Sequence, residues 1–96
     1  MPKAYWVSNY HEVRDAKKLA EYAALAGPAI EAGGGKFLAR GVAAAAYESG
    51  VLARTVIIEF ASVADAVATH DSDGYQKALQ ALAGGAIRDL RIVEGV

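Results

Sequence analysis

Apolar and polar residues alternate with two different periods along the chain, and the period changes where one predicted element ends and the next begins. From Ala4 to Tyr10 the residues are aromatic or β-favouring, and their alternation by two predicts a first strand. From Ala16 to Ile30 small apolar residues recur at steps of three and four, which predicts a helix that Asp15 caps. The first strand has two faces, with Tyr5, Val7 and Asn9 on one and Trp6, Ser8 and Tyr10 on the other.

Pro28 lies late in this first predicted helix. Its ring removes one amide donor and crowds the carbonyl of Ala24, so we expect a kink or an early end near Gly27. The three glycines at 33–35 then terminate the helix.

Two further apolar runs, Lys36–Val42 and Thr55–Phe60, predict a second and a third strand. Glu48-Ser49-Gly50 is the predicted turn between them. Because the connection is too short for a helical crossover, the two strands are expected to be antiparallel neighbours. Each run has one charge inside it, Arg40 in the second strand and Glu59 in the third.

The remainder of the chain predicts a second helix in two pieces, followed by a fourth strand. Ser62 and Asp65 form a weak capping box at the start of the helix. Asp71–Gly74 interrupts the helical spacing, which resumes until Gly84-Gly85 ends it. Arg88–Glu94 alternates again and predicts the last strand.

The order βαββαβ predicts a ferredoxin-like α+β fold, in which a four-stranded antiparallel sheet carries both helices on one face. The predicted strands contain apolar residues at both odd and even positions, and therefore on both faces of the sheet, as in the run Val56-Ile57-Ile58. The second face of the sheet therefore also needs a partner, and a second copy of the chain is the simplest one. We expect one domain over residues 1–96, assembled as a homodimer.

The composition argues against several classes of function. The net charge is −1 and acids and bases are mixed along the chain, so the basic stripe that nucleic acid requires is missing. The absence of cysteine excludes disulfides and thiolate sites. The chain has neither a signal-peptide pattern nor a run of about 18 apolar residues. We expect a cytoplasmic protein that binds no nucleic acid and no membrane.

Four segments carry a resemblance to a known family: Gly35–Gly41, Arg54–Phe60, Tyr75-Gln76 and Ile92–Val96. They closely resemble the domain of unknown function 1330 family of the dimeric α+β barrel superfamily, and the resemblance covers nearly the whole chain. It implies that two sheets meet face to face in a dimer. It also implies a ligand-sized pocket between each sheet and its helices or at the barrel mouth. The wider superfamily includes cofactor-free monooxygenases, lactone isomerases and haem enzymes, so no single reaction is implied.

The chain departs from the family pattern mainly around the break in its second helix. It has Thr69-His70 where the family has an aromatic pair, Asp73 where the family has proline, and Leu82 where an arginine is common. It also has Val42 in place of a glycine. A family ligand site near the break would therefore be altered, and His70 does not carry over as a family residue.

Arg40 and Glu59 are the first candidates for chemistry, because each is a charge in the middle of a predicted strand. One interpretation is a cross-strand or intersubunit ion pair that fixes the register. The other is a catalytic pair, in which Arg40 holds a carboxylate or enolate oxygen while Glu59 moves a proton.

Four more side chains have both a structural and a functional interpretation. His70 either caps its helix or acts as a general base that Asp71 orients. Tyr75 is either buried with a bonded hydroxyl or contacts a ligand. Trp6 and Asn9 resemble residues that some cofactor-free oxygenases of the superfamily use. Trp6 and Asn9 lie on opposite faces of the first predicted strand, which argues against one shared cavity. The structural interpretation of Trp6 is a core residue.

Other motifs point away from cofactors. Gly33–Lys36 resembles a phosphate loop, but it follows a helix and lacks the Ser or Thr after Lys36. A third strand with Phe60 as its only aromatic residue does not fit an RNA-recognition domain. His11, placed in the loop before the first helix, is expected to be solvated. With two histidines and no clustered ligands, we expect no metal, no haem and no other cofactor.

Two hypotheses of function follow. In the first, the homodimer binds a small anionic or carbonyl-bearing organic molecule, with any catalysis being cofactor-free acid–base chemistry. In the second, the dimer is a non-enzymatic structural or ligand-carrying protein, and Arg40 and Glu59 only support its assembly.

Overall fold

The computed structural model describes residues 2–96, which form a single four-stranded antiparallel sheet with its helices on one face. The strand order is β2-β3-β1-β4. This is the predicted ferredoxin-like α+β arrangement, with the second helix in two pieces. The elements are β1 (Ala4–Val13), α1 (Ala16–Ala32), β2 (Lys36–Val42), β3 (Arg54–Phe60), α2 (Val63–His70), α3 (Asp73–Leu82) and β4 (Ala86–Glu94).

β1 is longer than predicted and continues past Tyr10 to Val13. Its pairing with β4 shifts register between Tyr10 and Glu12 and then continues to the pair Val13–Ala86. The bulge interrupts the alternation of side chains, and this is why the sequence pattern ended early. The prediction that His11 lies in a loop is wrong, since it is an exposed residue of the strand.

α1 continues through Pro28 to Ala32, so the prediction of an early end near Gly27 is wrong. Its last turn is held by Ile30, which is 3% exposed and packs in the core. Burial of this side chain offsets part of the cost of the backbone hydrogen bond that proline removes. Asp15 caps the helix as predicted, accepting from the amides of residues 17 and 18.

The break between α2 and α3 lies where the sequence places it, and serine side chains cap both pieces. The Ser62 hydroxyl accepts from the Asp65 amide at 3.1 Å, and the Ser72 hydroxyl accepts from the Tyr75 amide at 3.3 Å. The Ser72 hydroxyl also donates to the Thr69 carbonyl at 2.7 Å. Among the helices of residues 2–96, none is both long enough and apolar enough to span a bilayer.

A bulge in β2 decides which side chains share a face of the sheet. Lys36 pairs with Glu59, but the register shifts between Phe37 and Ala39, so Arg40 pairs with Val56. Paired residues in antiparallel strands project to the same face. The extra residue therefore moves Arg40 to the helix-covered face, away from the face that carries Glu59.

The core lies between the covered face and the helices. Its centre is aromatic, because Trp6 stacks on Phe60 at 6.0 Å between ring centroids and meets the edge of Tyr75 at 4.9 Å. The other face of the sheet has no helix on it, and the side chains of Tyr5, Val7 and Ile57 are only half-buried there.

Candidate functional site

A cluster of hydroxyl groups surrounds the guanidinium of Arg88 on the covered face. Arg88 Nη1 donates to Tyr10 and Tyr22 hydroxyls at 3.1 Å each and approaches Ser8 Oγ at 3.4 Å, while Nη2 donates to the Tyr75 hydroxyl at 3.0 Å. Tyr22 and Tyr75 hydroxyls lie 2.7 Å apart. β1, α1, α3 and β4 all contribute to this cluster, so the whole fold positions it.

The local sequence explains how these side chains meet. Ser8 and Tyr10 follow Trp6 at steps of two along β1, so all three project to the covered face. Tyr10 and Arg88 are cross-strand partners between β1 and β4. Tyr22 belongs to the buried stripe of α1 and Tyr75 to that of α3. The cluster is therefore built on regular elements rather than on loops.

The cluster contains more hydrogen-bond donors than acceptors. Ser8, Tyr10, Tyr22 and Tyr75 each carry one hydroxyl hydrogen, and the Tyr22–Tyr75 contact uses one of them. No side-chain hydrogen bond within residues 2–96 gives the other three an acceptor. Arg88 supplies only further donors. A ligand oxygen that accepts several hydrogen bonds would complete this site.

The charge of the cluster is positive and has no counter-ion in the described part of the chain. Burial lowers the pKa of Arg88, but the oxygens of Tyr22, Tyr75 and Tyr10 outweigh burial and raise the pKa above its ordinary value. Burial, followed by the neighbouring Tyr22, raises the pKa of the Tyr75 hydroxyl well above its ordinary value. Burial also raises the pKa of Tyr10. At neutral pH Arg88 is thus a cation, and the hydroxyls of Tyr10 and Tyr75 keep their protons.

A small cavity of about 50 Å³ opens beside this cluster, between the sheet and α1. Three arginines line it, namely Arg40, Arg54 and Arg88, and no Asp or Glu does. Arg54 Nε is buried and has no hydrogen-bond partner among residues 2–96. Much of the remaining wall is apolar and includes Trp6, Leu19, Ile30, Phe37 and Ile58.

Arg40 and Glu59 lie on opposite faces of the sheet, so the structure excludes the cross-strand interpretation of this pair within the subunit. Arg40 lines the cavity, and its guanidinium lies 4.7 Å from the Phe37 ring centroid. Glu59 lies on the uncovered face, where it accepts from Lys3 at 3.2 Å and from the Tyr5 hydroxyl at 3.3 Å. The β2 bulge places the two residues on opposite faces. The alternation of apolar and polar residues in β2 gives no sign of this bulge, so the sequence did not predict it.

His70 stands apart from the arginine cavity. Its ring packs against the rings of Trp6 and Tyr75, with centroids 5.8 and 5.2 Å away. Its Nδ1 lies 3.0 Å from the Asp71 carboxylate, as the general-base hypothesis requires. The Trp6 and Tyr75 rings occupy the side of His70 that faces the core.

The three predicted ligand contacts have different surroundings. Trp6 is a core residue that also forms part of the cavity wall. Tyr75 is fully buried, and its hydroxyl is bonded within the Arg88 cluster. Asn9 is on the uncovered face, where its Oδ1 accepts from the Thr55 hydroxyl at 3.3 Å. The opposite parity of Trp6 and Asn9 is confirmed.

Sequence reasoning missed the residues at the centre of the site. Arg88 was predicted only as the first residue of a strand. Tyr22 was not among the residues of the apolar stripe predicted for the first helix. One signal was available, because the alternation of β1 already places Ser8 and Tyr10 on the face of Trp6. A serine on a core-facing position of a strand is a polar group that needs a partner.

Comparisons with known proteins agree with this fold. Residues 3–96 match the family described as domain of unknown function DUF1330. A search of the curated proteins finds no match. Among solved structures, RPA0582, a protein of unknown function from Rhodopseudomonas palustris, is 20% identical with a TM-score of 0.72, over 97% of this chain and 80% of that one.

Two other solved structures share the fold at lower identity. SnoaB, described as a cofactor-independent oxygenase from Streptomyces nogalater, is 12% identical with a TM-score of 0.61, over 97% of this chain and 92% of that one. A dimeric protein of unknown function with a ferredoxin-like fold, from Bacteroides fragilis, is 15% identical with a TM-score of 0.55. The alignment covers 96% of this chain and 95% of that one. At these identities the likeness shows the fold alone.

Proposed function

The chain belongs to the DUF1330 family, and we propose that it binds a small organic anion, a carboxylate or an enolate, in the cavity beside Arg88. The proposal rests on one observation. A partly buried guanidinium is bonded to hydroxyl groups only, and no carboxylate of residues 2–96 forms an ion pair with it.

The physical reason is that a partly desolvated cation is unfavourable without an opposite charge. Hydroxyl oxygens compensate part of that cost, because they accept from the guanidinium. They also leave hydroxyl hydrogens unused, and such hydrogens bind best to an oxygen that bears negative charge. A carboxylate or enolate oxygen satisfies both the charge of Arg88 and the spare donors of Tyr10 and Ser8.

Catalysis is a second candidate that the same geometry favours. Donors held rigidly around one point stabilise negative charge that develops on an oxygen, as in an enolate. The contact between Tyr22 and Tyr75 uses only one of their two hydroxyl hydrogens, so the other can donate to such an oxygen. SnoaB, which shares the fold, is described as a cofactor-independent oxygenase. A carrier that binds the anion without converting it is the competing interpretation.

The three residues that the sequence suggested for catalysis have narrower roles, or none, in this proposal. Arg40 belongs to the ligand site, because it lines the cavity. Glu59 lies on the opposite face with Lys3 and Tyr5, where we assign it to the subunit surface rather than to proton transfer. His70 is separated from the cavity by Trp6 and Tyr75, and it receives no catalytic role.

Removal of the central charge tests the proposal. Arg88→Met keeps an apolar stem but removes the cation, whereas Arg14→Met removes an exposed arginine outside the cavity. Calorimetric titration with small carboxylates should show binding to the wild type and to Arg14→Met. Affinity should fall at least about tenfold in Arg88→Met, the effect of losing a charge-assisted hydrogen bond. Equal binding by all three proteins would refute the site.

We also propose that the chain forms a homodimer through the uncovered face of the sheet. Apolar side chains remain partly accessible there, with Val7 and Ile57 paired at its centre and Val93 54% exposed. Unpaired apolar faces of this kind favour association. The protein of this fold from Bacteroides fragilis is described as dimeric.

The dimer is tested by light scattering at micromolar concentration. The wild type should have twice the mass of one chain, and Ile57→Lys should have the mass of one chain. Val67→Lys is the matched control, because Val67 is an exposed apolar residue on α2, outside the sheet. A single-chain mass for the wild type would contradict the proposal.

A further inference from the structure

The arrangement of the arginines points to a ligand with two anionic groups. We infer that the cavity binds a short dicarboxylate rather than a monocarboxylate, an inference that rests on the proposed anion site. Arg88, Arg54 and Arg40 come from β4, β3 and β2, and together they line one cavity that has no acidic residue. One carboxylate at Arg88 would leave the charge of the partly buried Arg54 uncompensated, whereas the exposed Arg40 is also in contact with solvent.

Arg88 and Arg54 stand on opposite sides of Tyr10. Their guanidinium carbons lie 5.4 and 6.0 Å from the centroid of its ring. β1 is the strand between β3 and β4, so the two arginines are two strand spacings apart, or roughly 10 Å at the backbone. The two guanidinium groups therefore reach the cavity from different strands, one on each side of β1.

The groups that would hold the first carboxylate are already assembled. Arg88 is bonded to the Tyr10, Tyr22 and Tyr75 hydroxyls, which fix its position on the β4 side of the cavity. The spare hydroxyl hydrogens lie at the same end. One anionic group bound there would use these donors and would compensate the charge of Arg88 alone.

The second donor set is the pair Arg54 and Arg40. Arg40 pairs with Val56 across the ladder, and Arg54 lies two residues before Val56, so their Cα atoms are diagonal neighbours roughly 7–8 Å apart on one face. Within residues 2–96 neither guanidinium makes a hydrogen bond or an ion pair, and Arg54 Nε is buried without a partner. These donors are oriented by aromatic rings, Phe37 for Arg40 and Tyr10 for Arg54.

The wall between the two donor sets limits the spacer of the ligand. Ser8 and Tyr10 of β1 lie between the strands that carry Arg88 and Arg54, and the buried Val56 of β3 pairs with Ser8. The cavity is small, about 50 Å³, which is room for only a few water molecules. A short spacer between two carboxylates fits this volume, whereas a long spacer does not.

The test compares matched ligands on matched variants by calorimetric titration at one ionic strength. The ligands are the dicarboxylates from malonate to adipate, each with the monocarboxylate of the same chain length, and inorganic phosphate. The proteins are the wild type, Arg88→Met, Arg54→Met, Arg40→Met and the control Arg14→Met. In the wild type the best dicarboxylate should bind at least about tenfold tighter than its monocarboxylate, one added charge-assisted contact.

The advantage of the dicarboxylate should disappear in Arg54→Met and shrink in Arg40→Met, while monocarboxylate affinity changes little. If mono- and dicarboxylates bind equally and both need Arg88, the two-anion inference is wrong and the proposed anion site stands. The two-anion inference is also wrong if phosphate binds as tightly as any dicarboxylate, since one compact dianion then suffices. If no ligand binds the wild type, both the inference and the proposed function fail.

Discussion

The two ends of the helix-covered face, around Trp6 and around Tyr10, differ in chemistry although the β1 residues at both ends are buried. Along β1, Trp6, Ser8 and Tyr10 are 1%, 2% and 3% exposed, and all point to the helices. At the Trp6 end the neighbours are Ile58, Phe60 and the apolar faces of α2 and α3, whereas at the Tyr10 end they are arginines and hydroxyls. Burial alone therefore does not tell which part of a core stabilises the fold.

The two ends differ in what burial contributes. Each apolar side chain removed from water contributes about 1.5–3 kcal/mol to the free energy of unfolding. A buried hydrogen bond contributes a net of only about 0.5–1.5 kcal/mol, because water made the same bond in the unfolded chain. The apolar end, centred on Trp6, should thus provide stability. The polar end, centred on Arg88, provides a site at little gain in stability.

Trp6→Ala should have the largest effect of any substitution on the covered face. It removes the ring that stacks on Phe60 and meets the edge of Tyr75, and loss of a buried tryptophan costs about 3–5 kcal/mol. Urea unfolding followed by circular dichroism measures the change. Tyr10→Phe, which removes only one hydroxyl at the polar end, should cost less than about 1.5 kcal/mol. Similar losses for the two variants would mean that the two ends do not differ.

Gly33→Ala should destabilise the fold by about 1–3 kcal/mol, because overpacking shifts well-packed neighbours. A β-carbon at Gly33, just after α1, would overlap the side chain of Thr69 on α2. Gly27→Ala is the matched control, since a β-carbon there meets no atom within 4 Å. Adding Thr69→Ala should restore part of the stability lost in Gly33→Ala. If the double variant is less stable than Gly33→Ala, the contact is not the cause.

Much of the fold follows from periodicity. The alternation of β1 and β4, the small-residue stripe of α1, and the break before Ser72 are local signals, and each predicted its element. The length of α1 did not follow, because the burial of Ile30 that carries the helix past Pro28 is a tertiary effect.

The site was predictable only in part. Arg40 was identified as a charge in a strand, but the bulge that turns it away from Glu59 has no signature in the sequence. Arg88 and Tyr22 are 66 residues apart and meet through packing of α1 on the sheet, which no local pattern reports. The face shared by Trp6, Ser8 and Tyr10 could have directed attention to the polar end.

Alkaline pH should weaken the polar end through Tyr75. Its pKa is raised in the folded protein by burial and by Tyr22, above the value of 10.0 that an unperturbed tyrosine has. Well below pH 10 the folded and the unfolded chain both keep the Tyr75 proton, so the contribution of this hydroxyl to the free energy of unfolding is fully present there. As the pH rises above 10 the unfolded chain releases the proton first, and the free energy of unfolding falls.

Tyr75→Phe isolates this contribution. Urea midpoints measured between pH 9 and pH 11.5 should fall more steeply for the wild type than for Tyr75→Phe. Tyr47→Phe serves as the control, because Tyr47 is 81% exposed. Parallel curves for the wild type and Tyr75→Phe would show that burial does not raise the pKa of the Tyr75 hydroxyl.

Arg54→Met should have the smallest effect and the opposite sign. It removes a buried Nε that has no partner among residues 2–96 and one of three like charges around the cavity. Apolar replacement of such a charge is neutral or stabilising, here by up to about 1 kcal/mol in the free energy of unfolding.

Arg54→Lys keeps the charge, so it should lack any gain that comes from relief of repulsion. Added salt screens that repulsion and should bring the wild type closer to Arg54→Met. A loss of stability in Arg54→Met comparable to that of Trp6→Ala would mean that the polar end supports the fold as much as the apolar end does.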